Sequence, residues 1–213
     1  IKVPNELSFE KIHPDHLALI SLLVCHPFIG RRIVFPKLVS KDFFDAHKVV
    51  TRYIVEDYDC NLESWSPKEE SKPALAYSGG ADSTAALAIM PKKTVSVFLD
   101  RPISKFSKSL YNKDAPIVAC QKLNEMGYDV NIIESNLENV RAPIGFPVDV
   151  ANAAPSIILA NFMNLDSIAF GTIMESTYRI GHKMFLDYEK RAHFKHWGGL
   201  FKAAGLPFLQ VVA

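Results

Sequence analysis

The sequence predicts an α/β protein whose parallel sheet is covered by helices on both faces. From residue 71 onward, short apolar segments of strand length alternate with segments whose apolar residues recur at helical spacing. Strands and helices that alternate in this way form a parallel sheet between two helical layers. The 213 residues are 48% hydrophobic and 22% charged, an ordinary mixture for one globular domain of average size.

The first 70 residues form a small N-terminal unit of their own in this prediction. A helix is expected over residues 15–25, where His26 and Pro27 end it, and a strand over residues 31–35. Ser40 is expected to cap a second helix that continues to Tyr53. Residues 61–72 are polar and are expected to form a surface linker to the second unit, residues 71–213.

The second unit contains the alternating pattern. Its predicted strands cover residues 74–77, 94–99, 130–134, 166–171 and 206–212, and its predicted helices cover residues 81–90, 115–126 and 149–163. The last strand is apolar and is followed only by Ala213, from which we expect a further C-terminal segment in the complete protein.

Charge and cysteine content favour a cytoplasmic protein. The net charge is +1, which gives no general electrostatic attraction for nucleic acid, although a local basic patch stays possible. The three cysteines are far apart and form no Cys-x-x-Cys pair, as is typical of a reducing compartment. No apolar segment has the length of a membrane span, and no signal peptide is recognisable.

The segment most informative about chemistry is residues 77–84, of which we term residues 78–84 the glycine loop. Gly79 and Gly80 lack a Cβ, so the chain can turn sharply and approach a ligand closely. The amides of Ala81 and its successors open a helix, and unpaired amides at a helix start attract anionic oxygen. The hydroxyl groups of Ser78, Ser83 and Thr84 are candidate donors to the same oxygens. The loop is therefore predicted to bind phosphate.

Asp82 is the one acidic residue of the glycine loop. Because a carboxylate repels phosphate, its expected role is to hold Mg²⁺, which bridges and neutralises phosphate oxygens. Two other phosphate motifs are excluded, since no lysine follows the glycines as in a P-loop and the third glycine of the dinucleotide fingerprint is absent.

Ser78, Gly79, Gly80, Asp82 and Ser83 resemble the Ser-Gly-Gly-x-Asp-Ser signature of the PP-loop ATP pyrophosphatases. This superfamily includes GMP synthetase, NAD synthetase and cyano-deazaguanine synthase. The resemblance implies a Rossmann-like fold of the HUP/PP-loop type over residues 71–213. It also implies that ATP and Mg²⁺ are bound and that a carbonyl or carboxylate oxygen attacks the α-phosphorus. Pyrophosphate would leave, and a nitrogen or sulfur nucleophile would then displace AMP.

The resemblance also suggests roles for residues beyond the glycine loop. Leu99 and Asp100, at the end of the second strand of the sheet, would lie beside the adenine and ribose, with Arg101 as a substrate clamp or as half of a loop ion pair. Gly171 and Thr172 would lie near the base at the end of the fourth strand. Acidic and basic residues follow them: Glu175 would stand on the metal side, and Arg179, His182 and Lys183 would cover pyrophosphate or form a solvated basic loop.

Several alternatives stay open. The protein is an adenylating ligase or transferase, a nucleotide-binding module without catalysis, or a PP-loop enzyme that modifies a tRNA or a base. In the last case the basic and aromatic residues 189–197 would contact RNA, although a solvated helix face is the simpler interpretation. The substrate would be a small molecule or a modified base. Without a glutaminase signature, ammonia or sulfur would come free, from the substrate or from a partner protein. A homo-oligomer is compatible with each alternative.

Overall fold

The computed structural model describes residues 1–2, 7–50, 53–101, 114–173, 179–180, 184–185 and 193–212. In its N-terminal part, helix α1 (Pro14–Cys25) and helix α2 (Lys41–His47) accompany four two-residue strands. The strands are β1 (Arg32–Ile33), β2 (Val39–Ser40), β3 (Ile54–Val55) and β4 (Tyr58–Asp59), and they pair in parallel as β1 with β3 and β2 with β4.

The ends of these two helices follow from local chemistry. Pro14 occupies the first turn of α1, where its missing N–H costs nothing. Ser40 caps α2 as predicted, because its Oγ accepts a hydrogen bond from the Phe43 amide at 3.2 Å. The helix ends at His47, however, and the prediction that it continues to Tyr53 is wrong. Val50 and Tyr53 stay buried, but residues 48–50 already form turns, since the paired β-branched residues Val49 and Val50 favour helix weakly.

The described residues from 72 onward form a five-stranded parallel sheet with helices between its strands. The elements in chain order are β5 (Lys72–Tyr77), α3 (Ala81–Ile89), β6 (Val95–Asp100), α4 (Asp114–Glu125), β7 (Asp129–Glu134), α5 (Ala154–Met163), β8 (Leu165–Thr172), the short strands β9 (Arg179–Ile180) and β10 (Met184–Phe185), α6 (Gly199–Ala203) and β11 (Phe208–Val212). The strand order across the sheet is β11-β8-β5-β6-β7, and β9 and β10 form a separate antiparallel pair. The predicted strands of the sheet are confirmed, with small shifts at their ends.

Helix α5 begins later than the sequence predicts. The expected start was residue 149, but residues 151–153 form a short 3-10 turn and the α-helix starts at Ala154. Pro155 explains the shift, because proline is favoured in the first turn of a helix and breaks one that starts a turn earlier.

Alternate residues of the strands face two separate cores, as the parallel-sheet prediction requires. On one face, Leu75 of β5 and Phe98 of β6 pack with Leu87 of α3 and Cys120 of α4. On the other face, the sheet packs with α5, α6, α1 and α2 in one continuous apolar cluster. The helices of the N-terminal part therefore share a core with the sheet. None of the helices in the described ranges has both the length and the apolar composition needed to cross a bilayer.

Candidate functional site

The strand order places a topological switch point at the carboxyl edge of the sheet between β5 and β8. The chain leaves β5 toward β6 and β7 on one side, whereas β8 and β11 lie on the other side. In open α/β sheets, ligands bind at such a switch point, outside the carboxyl ends of the strands. The glycine loop follows β5 here, and Gly171 and Thr172 form the end of β8. The fold thus brings together two segments that lie about ninety residues apart in the sequence.

Gly171 allows β8 to lie directly against the first turn of α3. Ala76 pairs with Phe170, so the next residues, Tyr77 and Gly171, are level on neighbouring strands. A Cβ on Gly171 would lie 2.6 Å from the Cα of Ser83 and 2.7 Å from the backbone oxygen of Asp82. Both are backbone atoms of the helix and cannot rotate away. The start of α3 is therefore fixed against the end of β8 by the absence of a side chain.

The two loop glycines differ in what the fold requires of them. Gly79 has φ +77°, and a Cβ there would also lie 2.6 Å from Cβ of Pro116 in α4. Gly80 has φ −92°, and a Cβ would meet only Ser78 Oγ, at 3.4 Å, an ordinary contact. The backbone needs glycine at position 79 on both counts, whereas position 80 has open space and permits alanine.

The hydroxyl groups around the glycine loop bond to one another and to a single carbonyl oxygen. Ser83 Oγ and Thr84 Oγ1 both donate to the Gly80 carbonyl, at 3.1 and 2.8 Å, and the Thr84 amide donates to it at 3.0 Å. Ser78 Oγ lies 3.0 Å from Ser83 Oγ and accepts a bond from the Gly80 amide at 3.4 Å. Tyr77 Oη lies 2.9 Å from Thr84 Oγ1. Burial raises the pKa of Tyr77. The loop is thus held in shape by its own side chains.

The first amides of α3 lack an acceptor in the described part of the chain. Thr84 donates the first bond within the helix, to Gly80, and the residue preceding the helix provides no side-chain cap. Within the described part of the chain, the amides of Ala81, Asp82 and Ser83 have no hydrogen-bond acceptor. Three unpaired amides at the positive end of a helix dipole attract an anion. This arrangement suits phosphate oxygens.

Asp82 lies in the first turn of α3 with an exposed side chain. Among the residues that the structure describes, no group of three or more His, Cys, Asp or Glu side chains is arranged to hold a metal ion. Mg²⁺, however, is commonly bound by one or two carboxylates together with waters and substrate phosphates. A single carboxylate beside unpaired amides fits that kind of shared site and does not fit a metal site made by protein alone.

The end of β6 lies next to β5 along the same edge of the sheet. Tyr77 pairs with Phe98, so Leu99 and Asp100 extend beyond the end of β5. The side chain of Leu99 is buried in the core on the α5 face, which leaves its backbone as the part that a ligand can contact. Asp100 is half-buried, and its carbonyl accepts the Ser135 amide at 2.8 Å.

Arg101 is joined to the loop that follows β7. Its Nη1 lies 3.0 and 3.3 Å from the two carboxylate oxygens of Glu138, whose side chain is only 7% exposed. Its guanidinium carbon is 5.8 Å from the centre of the Phe146 ring. This ion pair supports the alternative in which Arg101 is part of a loop salt bridge, because a buried carboxylate requires a cationic partner.

The remaining predicted site residues fall largely outside the described ranges. Glu175, His182 and Lys183 lie there, and for Arg179 the structure gives a backbone position in β9 but no side-chain contacts. In the segment 189–197, His193 bonds to Asp149 at 2.9 Å, and Trp197 is buried in the core with α5 and α6. Trp197 is therefore unsuited to stacking on an RNA base.

Three residues near the site were given no role from the sequence. Tyr77 stood at the start of the informative segment without a role of its own, and Pro116 and Glu138 were not considered. Tyr77 and Thr84 are seven residues apart on different elements, so only the folded strand, loop and helix bring them together. The presence of a hydroxyl-bearing residue directly before the glycine loop is the one signal that the sequence offered.

Comparisons of the chain with protein-family models, with curated proteins and with solved structures give no match. The structure itself shows a Rossmann-like α/β fold, with the glycine loop at the switch point and the hydrogen bonds described above around the loop.

Proposed function

We propose that this chain binds ATP at the glycine loop and is an AMP-forming adenylating enzyme of the PP-loop type. The observation that carries the proposal is the set of unpaired amides of Ala81, Asp82 and Ser83 at the switch point of a parallel sheet. The Ser-Gly-Gly-x-Asp-Ser pattern supports a PP-loop over other phosphate-binding loops.

In this proposal the residues around the loop bind the β- and γ-phosphates of ATP. The loop is open at Gly80, since a Cβ there would have no contact closer than 3.4 Å. The amides of α3 would donate to the phosphate oxygens, and Ser78, Ser83 and Thr84 would border the same space. Asp82 would share Mg²⁺ with the phosphates, which reduces the repulsion between the phosphates and its own carboxylate.

The adenosine would extend from the loop along the carboxyl edge of the sheet. In this proposal the backbone of Leu99 and the side chain of Asp100 border the adenine and ribose on the β6 side, with Gly171 and Thr172 on the β8 side. The register supports this placement, because Asp100 and Thr172 both extend past the end of β5.

The protein's contribution to the reaction would be alignment and charge neutralisation. A substrate carbonyl or carboxylate oxygen would attack the α-phosphorus in line with the departing pyrophosphate, and a nitrogen or sulfur nucleophile would then displace AMP. Arg179 and Lys183 are proposed to neutralise pyrophosphate, and Glu175 to support Mg²⁺ beside Asp82.

Product analysis tests the proposal. The protein is incubated with ATP, Mg²⁺ and a panel of carboxylate and amide substrates, and nucleotides are separated by chromatography. AMP and pyrophosphate are expected in equal amounts, and Asp82→Ala should abolish their formation while thermal unfolding stays unchanged. ADP as the product would contradict the adenylation chemistry. Tight ATP binding without cleavage by any substrate would favour a non-catalytic nucleotide-binding module.

A further inference from the structure

We propose that Tyr77 is a positioning residue for the phosphate site, acting through Thr84 on the peptide that joins Gly80 to Ala81. The inference rests on the proposed function, because the peptide it orients is the one that begins the anion site. Tyr77 itself would not touch the nucleotide. Its ring is buried at the end of β5 and packs edge-on against Phe98, 6.5 Å between ring centres.

The direction of the hydrogen bonds follows from counting hydroxyl protons. Thr84 has one hydroxyl proton, and its bond to the Gly80 carbonyl, at 2.8 Å, uses it. In the contact of 2.9 Å between Tyr77 Oη and Thr84 Oγ1, Tyr77 must therefore be the donor. The chain of bonds runs from Tyr77 to Thr84 to the Gly80 carbonyl, and each bond polarises the next.

The Gly80 carbonyl fixes the direction of the Ala81 amide. The two groups belong to one planar peptide and point in opposite directions. The carbonyl accepts three bonds, from the Thr84 amide, Thr84 Oγ1 and Ser83 Oγ, and all three come from the first turn of α3. While the carbonyl points into the helix, the Ala81 amide must point away from it, at the amino end of α3. Tyr77 supports this orientation by holding the rotamer of Thr84.

The same geometry explains why a tyrosine suits this place. The hydroxyl must reach from a buried strand position to a helix residue seven positions later, across the width of the glycine loop. Phenylalanine would fill the same apolar space beside Phe98 but would leave Thr84 Oγ1 without its donor. The substitution Tyr77→Phe therefore isolates the hydroxyl from the packing of the ring.

The test is a titration of the whole chain with α,β-methylene ATP and Mg²⁺, with affinity measured by calorimetry. We expect Tyr77→Phe to weaken binding about three- to tenfold, the size of one neutral hydrogen bond. Thr84→Val should weaken binding at least as much, whereas Thr84→Ser, which keeps the hydroxyl group, should bind as the wild type does. Because Tyr77 acts through Thr84, the double variant Tyr77→Phe/Thr84→Val should bind as Thr84→Val alone does.

Tyr53→Phe is the matched control. Tyr53 is also buried and its Oη lies 3.1 Å from His26 Nδ1 in the N-terminal part, so its loss tests the general effect of removing a tyrosine hydroxyl. The affinity of Tyr53→Phe for α,β-methylene ATP should equal that of the wild type. If Tyr77→Phe does not fold, the comparison of Thr84→Val with Thr84→Ser decides whether the Thr84 hydroxyl positions the site.

The outcomes separate this inference from the proposed function. A wild-type protein that binds the nucleotide, together with unchanged affinity in Tyr77→Phe, overturns the role of Tyr77 alone. Losses that simply add in the double variant overturn it as well, because the two hydroxyls would then act independently. A wild-type protein that does not bind the nucleotide overturns both proposals.

Discussion

Gly171 of β8 lies so close to Ser83 of α3 that a single added carbon would be 2.6 Å from the Ser83 Cα. This contact joins the two sides of the switch point, since Gly171 belongs to the strand on one side and Ser83 to the helix that follows the strand on the other. The geometry of the glycine loop therefore depends on a residue almost ninety positions away.

Gly171→Ala should separate β8 from α3. Because the neighbouring atoms belong to the backbone, the strain cannot be relieved by a rotamer change, and we expect a loss of about 1–3 kcal/mol in unfolding free energy. Urea denaturation measures it. Gly199→Ala is the control, since a Cβ on Gly199 has nothing within 4 Å. A Gly171→Ala protein as stable as Gly199→Ala would show that the close contact does not exist.

The loop glycines should respond differently to alanine. Gly79→Ala combines a positive φ with overlap on Pro116, so it should lower the thermal unfolding temperature by several degrees. Gly80→Ala should cost only about 0.5–1 kcal/mol as a poorer helix cap, yet weaken binding of α,β-methylene ATP at least tenfold. Equal nucleotide affinity in Gly80→Ala and the wild type would mean that no ligand approaches Gly80.

Asp82→Asn should lower AMP formation by roughly a hundredfold or more, because neutralisation of phosphate by Mg²⁺ contributes several kcal/mol. Its stability should change by less than about 1 kcal/mol, since the side chain is exposed. Asp129→Asn is the control, because Asp129 is an exposed carboxylate at the amino end of β7, on the opposite edge of the sheet. The dependence of the rate of AMP formation on Mg²⁺ concentration should change for Asp82→Asn and not for Asp129→Asn.

His16 should make the fold sensitive to acid. Burial, together with the charge of His13, lowers the pKa of His16 from its ordinary 6.5 to about 3, although a bond to the Ala204 carbonyl at 3.0 Å acts in the opposite direction. The folded protein keeps this imidazole neutral, whereas the unfolded chain takes up its proton below pH 6.5. The contribution of neutral His16 to the free energy of unfolding is therefore fully present above pH 6.5. It is lost as the pH falls toward 3, by up to about 1.4 kcal/mol per pH unit.

The variant His16→Gln keeps a hydrogen-bond donor and should flatten this part of the stability curve. His13 and His47, whose pKa values burial also lowers, should leave a smaller slope of the same sign. Asp15 should contribute a slope of the opposite sign, since burial raises the pKa of that carboxyl. His196→Gln, at an exposed position, is the control. The same acid slope in His16→Gln and the wild type would contradict the assignment to His16.

The central sheet was predictable because its strands are continuous apolar segments bounded by glycine, proline and polar turns. The two-residue strands β2 and β4 were not, since neither shows a periodicity and both depend on pairing with each other. The helical period of residues 40–53 correctly indicated buried positions such as Phe43 and Val50, but it did not indicate where α2 ends.

The candidate site, too, was predictable from the sequence only in part. The glycine loop is a contiguous motif, so its residues and its place between strand and helix were visible in the sequence. The bond of Tyr77 to Thr84 and the ion pair of Arg101 with Glu138 depend on the folded arrangement of separate elements. Likewise, the sequence predicted helix α1 but not that it would share a core with α5 and α6.

The most direct test of the nucleotide site follows the backbone amide signals of the protein by NMR during addition of α,β-methylene ATP and Mg²⁺. The proposal predicts that the amide protons of Ala81, Asp82 and Ser83 shift downfield together and saturate at one affinity, as they would on donating to phosphate oxygen. Saturable binding that leaves these three signals in place, or no binding at all, would contradict it.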